Sequence, residues 1–247
     1  MTLRDPETLD LPTPQGPMRT YVFRPAGGGR FPGLVLFSEI FQVTAPIRRT
    51  AQFLAGHGFV VAVPEVYHEF LPPGTVLAYD QAGAEQGNAL KTTKELASYD
   101  ADARAAIAAL RQHEACTGRV GVMGMCLGGH LAFRAAMNPD VAAAVCFYAT
   151  DIHKRSLARG MQDDSLDRIP EIKGELMMIW GRQDPHVPGE GRAAIYSALT
   201  AAATEFTWHE FNAAHAFLRD EGYRYDAELA HLSLGMAANL FRRRLAG

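Results

Sequence analysis

The stretch Arg119-Val-Gly-Val-Met-Gly-Met-Cys126-Leu-Gly-Gly129 constrains the fold of this chain more than any other. An apolar strand runs straight into a turn with a cysteine at its apex, and Gly124 and Gly128 stand two residues before and two after it. A side chain held at the tip of a strand-to-helix turn needs strained backbone, and the flanking positions must be nearly atomless for strand and helix to pass. The helix predicted over 127–137 aims free amides and its positive dipole end at Cys126, a setting suited to a sulfur nucleophile and to a developing oxyanion. Glycine-rich turns also cradle phosphates, but the GxGxxG and GxxxxGKS/T spacings are absent. The pentapeptide alone leaves two readings open, a nucleophile or a small buried core thiol.

Length and composition narrow the class. With 247 residues, 48% of them hydrophobic, and no break in composition, one domain spanning 1–247 around a large core is expected. A net charge of −3 argues against nucleic acid or an anionic membrane surface as the main partner. No apolar run reaches the length of a membrane span, and the N-terminus lacks the basic-then-apolar order of a secretion signal, so a cytoplasmic location is expected. Cys116, Cys126 and Cys146 form no CxxC pair, and the histidines show no HExxH-type spacing. Neither a disulfide framework nor a metal or other cofactor is expected.

Along the chain, residues 18–24 alternate as an early antiparallel edge strand. Apolar runs at 33–37, 59–63, 119–125, 141–148 and 175–180 read as buried strands, with a further strand at 205–211. Helical spacing over 46–57, 98–113, 127–137, a segment ending near 203, and 225–245 fills the intervals. That alternation predicts an α/β fold with a mainly parallel, doubly wound sheet flanked by helices. Two stretches break the pattern: 66–97 and 151–173 read as irregular excursions that could cover a site. Asp163, Asp164 and Asp167 in the second miss calcium-loop spacing and read as a solvated surface. His130 reads as a packing or surface residue, Cys116 as a loop residue and Cys146 as part of a buried strand.

In an open parallel sheet, ligands bind at the rim formed by loops leaving the C-terminal ends of the strands. Glu39, Cys126, Asp184, His186 and His215 each fall just past a predicted strand. The order nucleophile, acid, histidine assigns those parts to Cys126, Asp184 and His215. A thiol can form an acyl-enzyme, an imidazole can move protons near neutrality, and a carboxylate can hold the imidazole's tautomer. His186 is the rival base, but it lies two residues from the acid and would have to turn away from it.

The chain resembles the dienelactone hydrolase family, of α/β-hydrolase fold, over most of its length. The resemblance rests on Glu39-Ile40-Phe41, Gly124-Met-Cys126-Leu-Gly-Gly129, Gln183-Asp184-Pro-His-Val-Pro188 and His215-Ala-Phe-Leu-Arg219. It implies hydrolysis of an enol-lactone ring by a Cys-His-Asp triad. It also implies that Glu39 holds the resting thiol and contacts Arg219, and that a substrate carboxylate competes for Arg219 and frees Glu39 to take the thiol proton. The backbone amides of Ile40 and Leu127 would form the oxyanion hole. Relatives acting on dienelactone carry a second substrate-binding arginine before the helix at 98–113, where this chain has only Lys91 and Lys94 as cations. Either could stand in as a point charge but not as a bidentate fork.

The expected activity is hydrolysis of a small-molecule carboxylic ester or lactone through a thioester acyl-enzyme. The alternatives are a general esterase or thioesterase with another substrate, a non-catalytic binding protein, and a thiol redox sensor on the same scaffold.

Overall fold

The computed structural model describes residues 1–246. In chain order the elements are β1 (Glu7–Thr13), β2 (Gly16–Phe23), β3 (Phe31–Phe37), α1 (Ala45–Gly56), β4 (Val60–Pro64), α2 (Gln81–Thr93) and α3 (Leu96–Gln112). There follow β5 (Cys116–Met125), α4 (Leu127–Ala135), β6 (Val141–Phe147), β7 (Glu175–Gly181), α5 (Gly189–Ala201), β8 (Phe206–Phe211) and α6 (Ala227–Leu245). The eight strands join one sheet in the order β1-β2-β4-β3-β5-β6-β7-β8. Pairing is antiparallel from β1 through β2 to β4 and parallel from β4 onward.

The parallel strands are apolar on both faces because helices cover both. Val35, Phe37, Val120 and Val122 pack with residues of α3 and α4 on one face. Leu34, Leu36, Met123 and Met125 pack with residues of α1 and α6 on the other. At the centre, strand β5 turns into α4 through Cys126, whose backbone has φ 58° and ψ −119°. A Cβ on Gly124 would stand 1.9 Å from the Gly128 carbonyl oxygen, and one on Gly128 would stand 2.2 Å from that of Phe37. These two glycines are therefore a steric requirement of the crossing.

Four expectations need correction. The strand predicted at 18–24 is β2, which is not the edge; β1 pairs outside it through the tight turn between Thr13 and Gly16. Pro12 interrupts the apolar alternation of β1, and an edge strand is where proline is tolerated. The stretch 66–97 is not irregular throughout, because it contains α2. Asp80 caps this helix by accepting from the Gly83 amide at 2.8 Å, and its buried positions are Gly83 and Gly87, so it docks by close backbone approach and leaves no apolar stripe to read. Cys116 opens β5 and is buried there, not in a loop.

The stretch 151–173 is not a solvated excursion either. Ile152, Leu157, Ala158 and Ile169 are buried, as are Asp163 and Ser165. His130 of α4 lies 2.9 Å from Ser165 Oγ. Arg134, also on α4, donates to Asp163 at 2.9 Å, to Asp164 at 2.7 Å and in a fork to Asp100 at 2.9 and 2.8 Å. The segment is thus bolted to the helix that follows the cysteine. Burial alone would raise the Asp163 carboxyl, but His130, Ser165 and Arg134 bring it down to about 2.

A pKa depressed from 3.8 to about 2 contributes stability that is present above the unfolded value and lost as pH falls through the folded one. Asp163→Asn should cost about 2 kcal/mol at neutral pH. Thermal unfolding in a pH series should show the Tm gap to the parent closing below about pH 4; a gap of constant size would remove the ion-pair account.

Candidate active site

The C-terminal ends of the parallel strands bring the expected residues to one rim. Glu39 follows β3, Cys126 follows β5, Asp184 follows β7 and His215 follows β8. Three of them, Glu39, Cys126 and His215, line one cavity of about 260 Å³, and Asp184 stands behind His215. The Cys126 apex is fixed from both sides: its amide donates to the Phe147 carbonyl at 3.1 Å and its carbonyl accepts from Thr150 at 3.2 Å.

Asp184 Oδ2 and His215 Nδ1 are 2.7 Å apart. The other oxygen of Asp184 accepts from the His186 amide at 2.8 Å, so both carboxylate oxygens are oriented. Burial would raise the Asp184 carboxyl, yet its bonds to His215 and to the His186 amide hold it below the usual range. On His215 burial works toward the neutral ring, but its interaction with the Cys126 sulfur and its hydrogen bond to Asp184 push its pKa up to about 10. The ring is packed edge-on between Tyr148, centroids 5.0 Å apart, and His186, 4.6 Å apart. His186 therefore turns away from Asp184 through its side chain and lines the cavity.

Glu39 is 3% exposed, and burial raises its carboxyl pKa against the opposing pull of Arg219, His215 and Tyr79. Tyr79 donates to it at 3.3 Å, and the Arg219 guanidinium stands 3.9 Å away. Among the described residues the hydrogen bond expected between Glu39 and the Cys126 thiol is absent; the carboxylate accepts from Tyr79 through Oε2. Arg219 lies over the Tyr79 ring at 4.2 Å, a cation–π contact. Ile40 lines the cavity and Leu127 is the first residue of α4, so the Leu127 amide has no intrahelical acceptor.

The two lysines part company. Lys91 reaches the cavity, but its ammonium is held by Asp151 at 2.8 Å. Lys94 does not reach it: fully buried, it bonds Glu69 and lies 2.9 Å from Asp102. With His68, those two acids bring ligand-type atoms within 4.8 Å of one another, and Lys94 supplies a cation to the group. Sequence reasoning missed Tyr79, Lys154 and Arg224, which also line the cavity. Tyr79 directly precedes the cap of a helix that showed no stripe, and the other two lie in connections with no periodicity to place them. No helix of the described residues is long and apolar enough to cross a membrane.

Comparison with known proteins shows the family of the chain. A Saccharomyces cerevisiae protein is 43% identical over 239 residues, covering 92% of this chain and 87% of its own length. The carboxymethylenebutenolidase of Pseudomonas putida is 30% identical over 203 residues, covering 82% of this chain and 81% of its own. A Klebsiella pneumoniae crystal structure superposes with a TM-score of 0.86 at 22% identity, covering 98% of this chain and 100% of that one. The sequence matches the model of the dienelactone hydrolase family over residues 18–245, and the chain belongs to that family, a hydrolase acting on ester bonds in an α/β-hydrolase fold.

Proposed function

We propose that the chain hydrolyses a small carboxylic ester or lactone through a Cys126–His215–Asp184 triad and a thioester acyl-enzyme. The observation that carries this reading is the 2.7 Å bond between His215 and Asp184 beside a cysteine at the apex of a strained strand-to-helix turn. The Cys126 sulfur attacks the carbonyl carbon, and the carbonyl oxygen takes negative charge against the amides of Leu127 and Ile40. As the tetrahedral intermediate collapses, the C–O bond breaks and the leaving oxygen takes the proton of His215. The now neutral His215 accepts a proton from water, which attacks the thioester and releases the acid and the thiolate. Asp184 keeps the ring in one tautomer throughout.

Glu39 and Arg219 extend the reading to a substrate that carries a carboxylate. A carboxylate on Arg219 would withdraw the cation that now opposes burial at Glu39, leaving Glu39 more basic and better able to take the thiol proton, which returns to the sulfur once the thiolate is released. The name of the Pseudomonas putida relative, a carboxymethylenebutenolidase, supports a carboxylated lactone as the substrate class.

Cys126→Ala should bind substrate but lower kcat by about 10⁴-fold or more, and acid-quenched mass spectrometry of the parent should show an acyl adduct on residue 126. Turnover near the parental rate, or an adduct elsewhere, would end the assignment.

Because the His215 pKa is raised from 6.5 to about 10, the proton it gives the leaving group is present below that value and lost above it. The basic limb of kcat/KM should therefore fall near pH 10. Asp184→Asn should move that limb downward and cost about 10³- to 10⁴-fold in kcat; an unmoved limb would assign it to another group.

A further inference from the structure

The cavity over Cys126 carries more positive charge than its own carboxylates neutralise. Lys91, Lys154, Arg219 and Arg224 all line it. Asp151 is committed to Lys91 at 2.8 Å, Glu39 stands 3.9 Å from Arg219, and Asp80 caps α2 through the Gly83 amide. Lys154 and Arg224 are left over: among the described residues neither makes an ion pair. The one side-chain hydrogen bond of Arg224 is to the hydroxyl of the neighbouring Tyr223, at 3.2 Å.

These two cations reach the same cavity from different connections, Lys154 from the turn after β6 and Arg224 from the segment between β8 and α6. Lys154 is exposed and Arg224 half-buried, which puts them at the mouth, whereas Arg219 adjoins the buried Glu39. The charge of Arg224 is felt at Glu39 and at His186, whose pKa values it pulls down, so its field is directed inward. Unneutralised cations at the rim of a small concave site concentrate anions there. A guanidinium adds a planar fork that fits a carboxylate, and the lysine adds a mobile point charge.

We propose that Lys154 and Arg224 form a second anion subsite at the mouth of the cavity, and that the substrate is a small ester or lactone bearing two carboxylates. One carboxylate sits on Arg219 and the other on the Lys154–Arg224 pair. A cavity of about 260 Å³ suits a compact dicarboxylate. This assignment rests on the reading of Cys126 as the nucleophile.

The test uses three nitrophenyl esters with a common leaving group: the acetate, the glutarate monoester with one free carboxylate, and the tricarballylate monoester with two. The parent enzyme should favour the dicarboxylate over the monocarboxylate by about tenfold in kcat/KM, mainly through KM. The double variant Lys154→Ala/Arg224→Ala should bring that ratio to within about twofold of unity, and Arg224→Lys alone should retain part of it. Raising salt to about 0.5 M should shrink the parental ratio, because the mouth is open to solvent. The ratio of monocarboxylate to acetate, which reports Arg219, should survive in the double variant. A parental ratio near unity, or a double variant that keeps the tenfold preference, overturns the subsite. Failure of the underlying chemistry has a different signature, namely turnover of all three esters by Cys126→Ala.

Discussion

The crossing of β5, α4 and the end of β3 at Cys126 is the constraint on which everything else depends. Three backbone segments pass so closely there that a single methyl group at Gly124 or Gly128 would overlap a carbonyl oxygen. The strained apex lifts the sulfur clear of the sheet and leaves the first amides of α4 open beneath it. It also fixes where every other participant must arrive. Because parallel strands end at one rim, the loops after β3, β7 and β8 converge on the side of the sheet where the sulfur stands.

The electrostatics follow from how deeply these groups are set. Asp184 and His215 hold opposite charges through mutual contact, with burial working against both. Glu39 shows the reverse balance: its counter-ion is distant enough that burial prevails. Two carboxyl groups at the same rim are thereby pushed in opposite directions, the separation that the proposed roles of Asp184 and Glu39 require.

The parts legible in the sequence were those governed by short-range sterics or strict periodicity. The elbow glycines, the apolar strands and the residues just past them could be read directly, because buried parallel strands and tight turns admit few residue types. The walls of the cavity could not. Helix α2 packs through Gly83 and Gly87, so its buried face carries no apolar signature. The segment after β6 is held by charged side chains, Asp163 and Asp164 against Arg134, and such pairs look like solvated surface until the partner's position is known. Tyr79 and Arg224 sit in connections whose course depends on the packing of those same walls. The contact of Tyr79 with Glu39 is of this kind too, since Tyr79 stands just before the Asp80 cap of α2.

The ion pair between Lys91 and Asp151 has a bearing on how such a fold diversifies. It ties α2 to the loop that leaves β6, one residue after the amide of Thr150 that grips the cysteine carbonyl. The link joins two walls of the aperture, while the proposed reacting groups rest on strand ends whose crossing leaves no room for a side chain at Gly124 or Gly128. Selection can recut the doorway by altering one lysine or one aspartate and leave the machinery behind it untouched, so new substrates come within reach before any new chemistry has to be invented.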